Sequence, residues 1–535
     1  MEQKSRENWG TKLGFVLATA GSAIGLGNIW KFPYMTGMNG GGAFVIVYLL
    51  CILFCGFPLM LCELGIGRAA HLNPMAAFRK LEGEQRSQIA KWIGGIAIFL
   101  GVLFLFNRLY AFALCAIAFG FLFRRYGFAV AGALAVLTSL FILAYYSVVG
   151  GWILEYIRLS FTGKILAVNG VGNAGKTFGE FLNSYPRVIG FHIVFLLISC
   201  AMLWGGIKDG IERWSRVLMP LLFILLLVVI FRSVTLPGAR AGLDFFLSPD
   251  FSKLTAQSVL IALGHSFFTL SLGMGITMTY GSYLKKTENL FSSGLWIIML
   301  DTMAAILSGI AIFPAVFAMG FQPNAGPSLI FQVLPATFNK IPGGLSWLWA
   351  GLFFVMFAIA ALTSMASILE CSVTFLVDTF KMRRKTAILL NFVATALVGV
   401  LACVSVSDWT NLPHLHKVLA ACFGENILPG NWFDTMDHLT SNWMIPLSSM
   451  LTAIFVGWVW GSRKAINELR IGAEPYADRN LFLWFCGLLD DTLQDPSATL
   501  QTLTPLTFWI FLTRFFSPVI ILVIFLQNLG LLSFS

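Results

Sequence analysis

The chain has 535 residues and a formal charge of +10, from 35 Lys+Arg against 25 Asp+Glu; 58% of residues are hydrophobic, 11% are charged and the mean hydropathy is +0.82. Soluble domains are about 45–50% apolar and about 25% charged, so a soluble enzyme, a disordered chain and a fibrous repeat are excluded. The apolar runs are long and continuous rather than alternating, which excludes an outer-membrane barrel and leaves an all-α polytopic membrane protein.

Eleven runs reach the roughly 20 residues a bilayer span requires. They lie near 12–36, 42–68, 126–157, 187–206, 216–236, 256–284, 291–319, 345–378, 385–404, 432–461 and 505–528. Two shorter runs, 92–106 and 109–123, flank Asn107-Arg108. They read as an inserted hydrophobic hairpin over 92–123 between helices 2 and 3, or as a re-entrant pair. A single helix there would bury Arg108 and invert everything after it. With the N-terminus inside and the hairpin counted, the inside segments carry 23 Lys/Arg and the outside segments ten. The positive-inside rule then predicts a multi-pass protein of the cell inner (plasma) membrane, with a cytoplasmic N-terminus and an extracytoplasmic C-terminus. It also accounts for the basic charge without nucleic acid as a partner. The polar start Met1–Asn8 leads into an apolar run with no small-residue cleavage pattern, so no cleavable signal peptide is predicted. Most of the nine cysteines lie within runs, without CxxC or metal-ligand spacing. No disulfide framework or zinc site is expected, and only Cys403 and Cys422 could meet outside the membrane. Gly170 to Thr177 matches the GxxxxGK[ST] phosphate-loop pattern. It sits in a loop between two runs without the strand that motif needs, so it is read as chance.

The first run is interrupted by Gly21-Ser22-Ala23-Ile24-Gly25-Leu26-Gly27-Asn28, and the sixth by Thr269-Leu270-Ser271-Leu272-Gly273-Met274-Gly275. A glycine costs about 1 kcal/mol relative to alanine in a helix interior. One such stretch could simply allow close helix packing. Two, each opening a group of five runs, point to inverted repeats with broken helices 1 and 6 and a midplane site. Broken helices expose carbonyls for cations and N-termini for anions. Repeat one is 12–236, repeat two 256–461, with an extra helix at 505–528, in a single transporter domain over 1–528. Asp301 lies in run 7 and the hydroxyl pair Thr363-Ser364 in run 8. An ionisable group at that depth marks function by default, whereas a hydroxyl pair can be back-bonded to its own helix.

The stretches GSAIGLGNIWKFPY (21–34), NGGGAF (39–44), GFPLMLCELGIGR (56–68), YYSVVGGW (145–152), GHSFFTLSLGMG (264–275) and ALTSMAS (361–367) resemble the neurotransmitter:sodium symporter family. More narrowly, they are similar to its bacterial sodium-dependent amino-acid transporters, with the leucine-transporter-like fold. The resemblance covers nearly the whole chain except about 95–130.

That resemblance implies a sodium cofactor, two ions in number. The first would meet the carbonyl of Ala23, the side chains of Asn28, Thr269 and Asp301, and the substrate carboxylate. The second would meet the carbonyls of Gly21, Ile24 and Ala360 and the hydroxyls of Thr363 and Ser364. The substrate carboxylate would bind N–H groups near Leu26 and Gly27 and the Tyr146 hydroxyl. Its amino group would bind carbonyls of Ala23 and Phe268, and Ser271. Leu26, Ile142, Phe268, Met274, Ser367 and Ile368 would line the side-chain pocket beside Thr269. Glu63 would brace the broken backbone. Lys31 with Asp437 would form an outer gate; Arg6 with Asp378 would form an inner one, near Trp9 and Tyr283.

Three features depart from the family pattern. Lys31 replaces the usual arginine; Asp301 stands where the structural prototype has asparagine, with Ala305 one turn later carrying no charge or hydroxyl; and the insertion over 92–123 has no counterpart in the pattern. Asp301, as the only acid in run 7, implies no chloride requirement. The expected function is sodium-coupled symport of a neutral amino acid, hydrophobic or aromatic, imported by alternating access. An alternative is a same-fold carrier of a monoamine or osmolyte. Gly25 argues against it, because amine carriers of the family place an aspartate there. An intramembrane enzyme is the other class. Three of six histidines, His192, His265 and His438, lie in three separate runs, and no catalytic cluster is apparent. No obligatory protein partner is evident beyond the amino-acid substrate and the lipid bilayer.

Overall fold

The computed structural model describes residues 6–83, 87–106, 110–167, 170–321, 329–339, 345–407, 431–473, 504–529 and 532. The hairpin tip Asn107-Arg108, the cysteine Cys422 and the charges Lys4, Arg86, Lys340, Lys417 and Arg479 lie outside these residues.

Thr11, in extended conformation, caps the first helix by accepting from the N–H of Gly14. That helix, α1 (Lys12–Ala23), is followed by α2 (Gly27–Met38) at a bend of 47°. α3 (Gly42–Ala70) runs back, and α4 (Pro74–Glu82) starts at an Asn73 cap. Two further helices, α5 (Gln88–Phe106) and α6 (Tyr110–Tyr126), lead into α7 (Ala129–Phe161). Beyond it lie α8 (Gly170–Leu182), α9 (Tyr185–Leu203), α10 (Ile207–Val234) and α11 (Ala239–Leu247). The second interrupted run gives α12 (Ala256–Thr269) and α13 (Ile276–Gly281). The chain continues through α14 (Leu290–Ala318), α15 (Leu329–Asn339), α16 (Ser346–Phe380), α17 (Arg384–Ser407), α18 (Trp432–Arg470) and α19 (Pro505–Asn528).

Among the described residues nine helices are continuous and apolar enough to cross a bilayer, and the bent pair α1–α2 makes a tenth. The sixth expected run, 256–284, is divided into pieces of 14 and 6 residues, neither of which spans alone. The two broken helices sit at the centre. α1 packs against α10, α14 and α16, and α13 packs against α3 and α16. α7 lies along α16 and closes the other side.

Several boundaries differ from the hydropathy reading. Gly170 to Thr177 opens α8 rather than forming a loop; Gly170 itself turns at φ +84, and among the described residues no strand precedes it. α10 begins at Ile207, not 216. Gly206 at φ +81 reverses the chain at once, and the Arg216–Glu212 ion pair neutralises charge within the helix. α18 leaves helical conformation at Gly461 (φ +96, ψ 134), where the apolar run ends, and resumes as the amphipathic stretch Ser462–Arg470.

α5 and α6 pack against each other through small residues. A Cβ on Gly94 would stand 2.7 Å from the Gly120 carbonyl, and one on Gly101 2.9 Å from that of Ala113. Small residues let membrane helices approach this closely. Glu82 ties the base of the pair, accepting from the backbone N–H groups of Phe128 (2.9 Å) and Ser87 (3.2 Å). Trp92, Phe99, Leu114 and Phe121 point outward.

Candidate functional site between two broken helices

The break in α1 frees backbone groups that a continuous helix would pair. Ile24 turns out of the helix at φ −75, ψ 91. The N–H of Leu26 then donates to the Tyr146 hydroxyl at 3.1 Å. The carbonyls of Gly21, Ser22 and Ile24 all accept from the Ser364 hydroxyl, at 3.2, 2.9 and 3.4 Å. The break between α12 and α13 is sharper. Ser271, Gly273 and Gly275 have φ of +55, +70 and +73. Glycine adopts that region without penalty, but at Ser271 it is a strained conformation held by its surroundings. Those surroundings are specific. Glu63 accepts from the Gly273 N–H at 2.7 Å, and Ser139 and Cys371 donate to the Met274 carbonyl. Ser271 in turn donates to the Ser22 carbonyl at 3.1 Å, so the two breaks are bonded to each other.

Two oxygen clusters flank this junction. In the first, the Asn28 amide donates to both the carboxylate (2.8 Å) and the carbonyl (3.0 Å) of Asp301. Thr269 Oγ1 lies 3.1 Å from Asn28 Oδ1 and 3.1 Å from Asp301 Oδ1. All three residues are buried, and Asp301 Oδ2 has no hydrogen-bond partner. In the second, Thr363 donates to the carbonyls of Ile359 (3.1 Å) and Ala360 (3.0 Å), one turn from Ser364 and its bonds to α1. Every ligand-capable atom in both clusters is a hard oxygen, the donor type that alkali cations take. An unpaired carboxylate oxygen at this depth is costly alone and suits a cation.

Between the clusters lies a cavity of about 20 Å³, lined by Ala23, Leu26, Ile142, Tyr146, Phe268 and Met274, with Gly25, Gly27, Ser271 and Ile368. That is space for about one water. A Cβ on Gly25 would stand 2.3 Å from Ser364 Oγ and 2.6 Å from Tyr146 Oη, so no larger residue fits. Two expected lining residues stand elsewhere. Ser367 is packed behind the wall, donating to the Ser364 carbonyl at 2.7 Å and sharing a 2.6 Å bond with the Ser22 hydroxyl. Thr269 is turned to Asn28 and Asp301 rather than to the cavity.

Each expected ion pair forms. Lys31 Nζ meets Asp437 at 2.6 Å and Ser441 at 3.3 Å, and lies 4.1 Å from the centre of the Phe268 ring. On the face carrying the N-terminus, Arg6 meets Asp378 at 2.8 Å, donates to the His71 carbonyl and Ser282, and stacks over Tyr283 at 4.7 Å. The Trp9 indole N–H donates to the Tyr280 carbonyl at 3.1 Å.

Sequence reasoning missed a second pair beside this one. Glu370, fully buried on α16, binds Arg384 through two bonds of 2.9 and 2.5 Å. It also accepts from Tyr283 at 2.8 Å and Thr374 at 3.0 Å. A buried acid in an apolar run was the available signal. The Ser22–Ser271–Ser367 hydroxyl cluster carried none, because it exists only where the two breaks meet.

Comparison with known proteins shows the family. The profile of the sodium:neurotransmitter symporter family matches residues 6–127 and 184–424. A sodium-dependent transporter of Bacillus subtilis, YhdH, is 34% identical, with all of both chains aligned. Another from Haemophilus influenzae is 34% identical over 98% of this chain and 99% of its own. The crystal structure of MhsT in complex with L-phenylalanine aligns with a TM-score of 0.75 and 33% identity, covering 98% of this chain and 100% of that one. The chain therefore belongs to the sodium:neurotransmitter symporter family, and is a multi-pass sodium-dependent transporter rather than an enzyme.

Proposed function

We propose that the protein imports a neutral amino acid with a hydrophobic or aromatic side chain, coupled to two sodium ions, by alternating access. The observation that carries this reading is the cavity at the junction of the two breaks, with one oxygen cluster on either side. The first ion is held by Asn28, Thr269, Asp301 and the Ala23 carbonyl, completed by the substrate carboxylate. The second is held by the carbonyls of Gly21, Ile24 and Ala360 and the hydroxyls of Thr363 and Ser364. The substrate carboxylate takes the N–H groups at Leu26 and Gly27 and the Tyr146 hydroxyl, and the amino group takes the carbonyls of Ala23 and Phe268. An occupant larger than water requires Phe268 and Met274 to move, and a flexible thioether suits that task. MhsT, with phenylalanine in its complex, is consistent with an aromatic side chain. Gly25 has no room for the aspartate that would pair an amine, so the ligand brings its own carboxylate.

Lys31–Asp437 closes the path to the outside and Arg6–Asp378 the path to the cytoplasm, with the N-terminus inside and the C-terminus outside. The single domain is built from inverted repeats at 12–236 and 256–461, with 505–528 and the hairpin as additions. Chloride is not required, because Asp301 supplies a fixed negative charge. The test is binding of radiolabelled phenylalanine to detergent-solubilised protein with and without sodium, followed by competition with the twenty amino acids. Sodium-dependent binding, displaced best by bulky apolar amino acids, is the expected result. Binding without sodium, or displacement only by a monoamine or betaine, would overturn it.

A further inference from the structure

α3 and α14 touch where the Phe57 and Phe291 rings meet at 5.3 Å and leave a gap elsewhere between them. Leu49, Ile52 and Leu53 of α3 and Trp296, Met303 and Leu307 of α14 line an apolar groove of about 480 Å³. It shares no lining residue with the central cavity, and Leu53, Trp296 and Met303 are exposed along it. Ser292, Trp296, Met299, Met303 and Leu307 recur at three- and four-residue spacing, so they form one stripe of α14. From Trp296 to Leu307 the stripe is about 16 Å long at 1.5 Å per residue. That is close to half of the roughly 30 Å hydrocarbon core, the depth of one leaflet.

The end of the stripe is polar. Lys12 Nζ donates to Ser292 Oγ at 3.3 Å, in an exposed position one turn before Trp296. Among the described residues no carboxylate pairs with Lys12. A tryptophan beside a cation is the side-chain pattern of a membrane interface. A cation at the mouth of an apolar groove one leaflet deep fits an amphiphile with an anionic head.

We infer that this groove holds an anionic phospholipid, with one acyl chain between α3 and α14 and its phosphate on Lys12 and Ser292. Lys12 begins the half of the broken helix nearest the N-terminus, and α14 carries Asp301. The lipid therefore bridges the first half of the broken helix and the helix of the first oxygen cluster. Neither the assignment of the transported solute nor that of the ions enters this argument.

The test is native mass spectrometry of the full-length protein, incubated with phosphatidylglycerol, phosphatidylcholine or inorganic phosphate. One phosphatidylglycerol should be retained per chain, with phosphatidylcholine weaker and free phosphate not retained. Lys12→Ala should lower phosphatidylglycerol retention about fivefold, the weight of one cation near an anionic headgroup. Met303→Trp, which fills the groove without touching Lys12, should lower retention of both lipids. Both variants are compared at wild-type gel-filtration profile, and Lys12 is exposed, so its replacement leaves the fold intact. Equal retention of the two lipids by wild type would overturn the inference. So would retention unchanged in Lys12→Ala, or a loss in Lys12→Ala with none in Met303→Trp.

Discussion

The two oxygen clusters are built on opposite principles. The cluster of Asn28, Thr269 and Asp301 is made of side chains bonded to one another and contains a formal charge. The cluster of Thr363 and Ser364 is neutral, made of the two hydroxyls, the Ala360 carbonyl and the Gly21 and Ile24 carbonyls at the break after α1. The first carries its own counter-charge for a cation. The second relies on aligned dipoles, which lose their arrangement if the two hydroxyls are removed. The difference teaches where each cluster is vulnerable: one to the loss of a charge, the other to the loss of two hydroxyls that fix a backbone.

Removing the hydroxyls should have the largest effect. Thr363→Val with Ser364→Ala removes both hydroxyl oxygens and takes the Ser364 donor from the carbonyls at the break after α1, at about 1–3 kcal/mol for a buried group left unpaired. Sodium-driven uptake should fall to background while membrane insertion, measured by fractionation, persists. Wild-type sodium dependence in this variant would remove the neutral cluster from the account.

A change that strikes neither cluster provides the contrast. Glu370→Gln breaks the pair with Arg384 but leaves all proposed ion ligands in place. The loss should be up to about 3 kcal/mol, the low end for a broken buried pair because Arg384 keeps some solvent contact. A lower thermal unfolding midpoint with unchanged sodium affinity is expected. A large loss of sodium affinity would mean that the face carrying the N-terminus and the clusters are not separable.

A third substitution separates pocket from ions. Ile368→Phe overpacks the cavity, which typically costs about 1–3 kcal/mol. Competition binding should shift against bulky amino acids relative to alanine, with the sodium dependence unmoved. The smallest effect belongs to Lys31→Arg. Asp437 is about one-third exposed, so exchanging a point donor for a planar fork should alter transport by no more than about 1 kcal/mol, or fivefold. A larger change in uptake rate would mean that this pair limits the cycle.

The breaks were readable in the sequence because glycine and polar residues stand out inside apolar runs, as at Gly21–Asn28 and Leu270–Gly275. The ion pairs Arg6–Asp378 and Lys31–Asp437 were readable only through the family resemblance, since each joins residues more than 370 positions apart. Ser367 was misplaced because its position on α16 gives its height along the helix, not the direction its hydroxyl takes once Ser22 is beside it. The early start of α10 was hidden for a related reason. Lys208, Arg213 and Arg216 lower the local hydropathy, and the pairing of Arg216 with Glu212 shows only in the folded chain. Glu370 and Arg384 were both visible as charges, but nothing local indicated that they meet.

The central claim is that sodium-coupled uptake draws its fixed negative charge from Asp301. The direct measurement is uptake of radiolabelled phenylalanine into proteoliposomes under a sodium gradient, with chloride replaced by gluconate, for wild type and Asp301→Asn. Wild type should transport equally in both anions, and the variant should lose uptake in gluconate and regain part of it in chloride. A wild type that needs chloride, or a variant that transports normally in gluconate, would contradict the account.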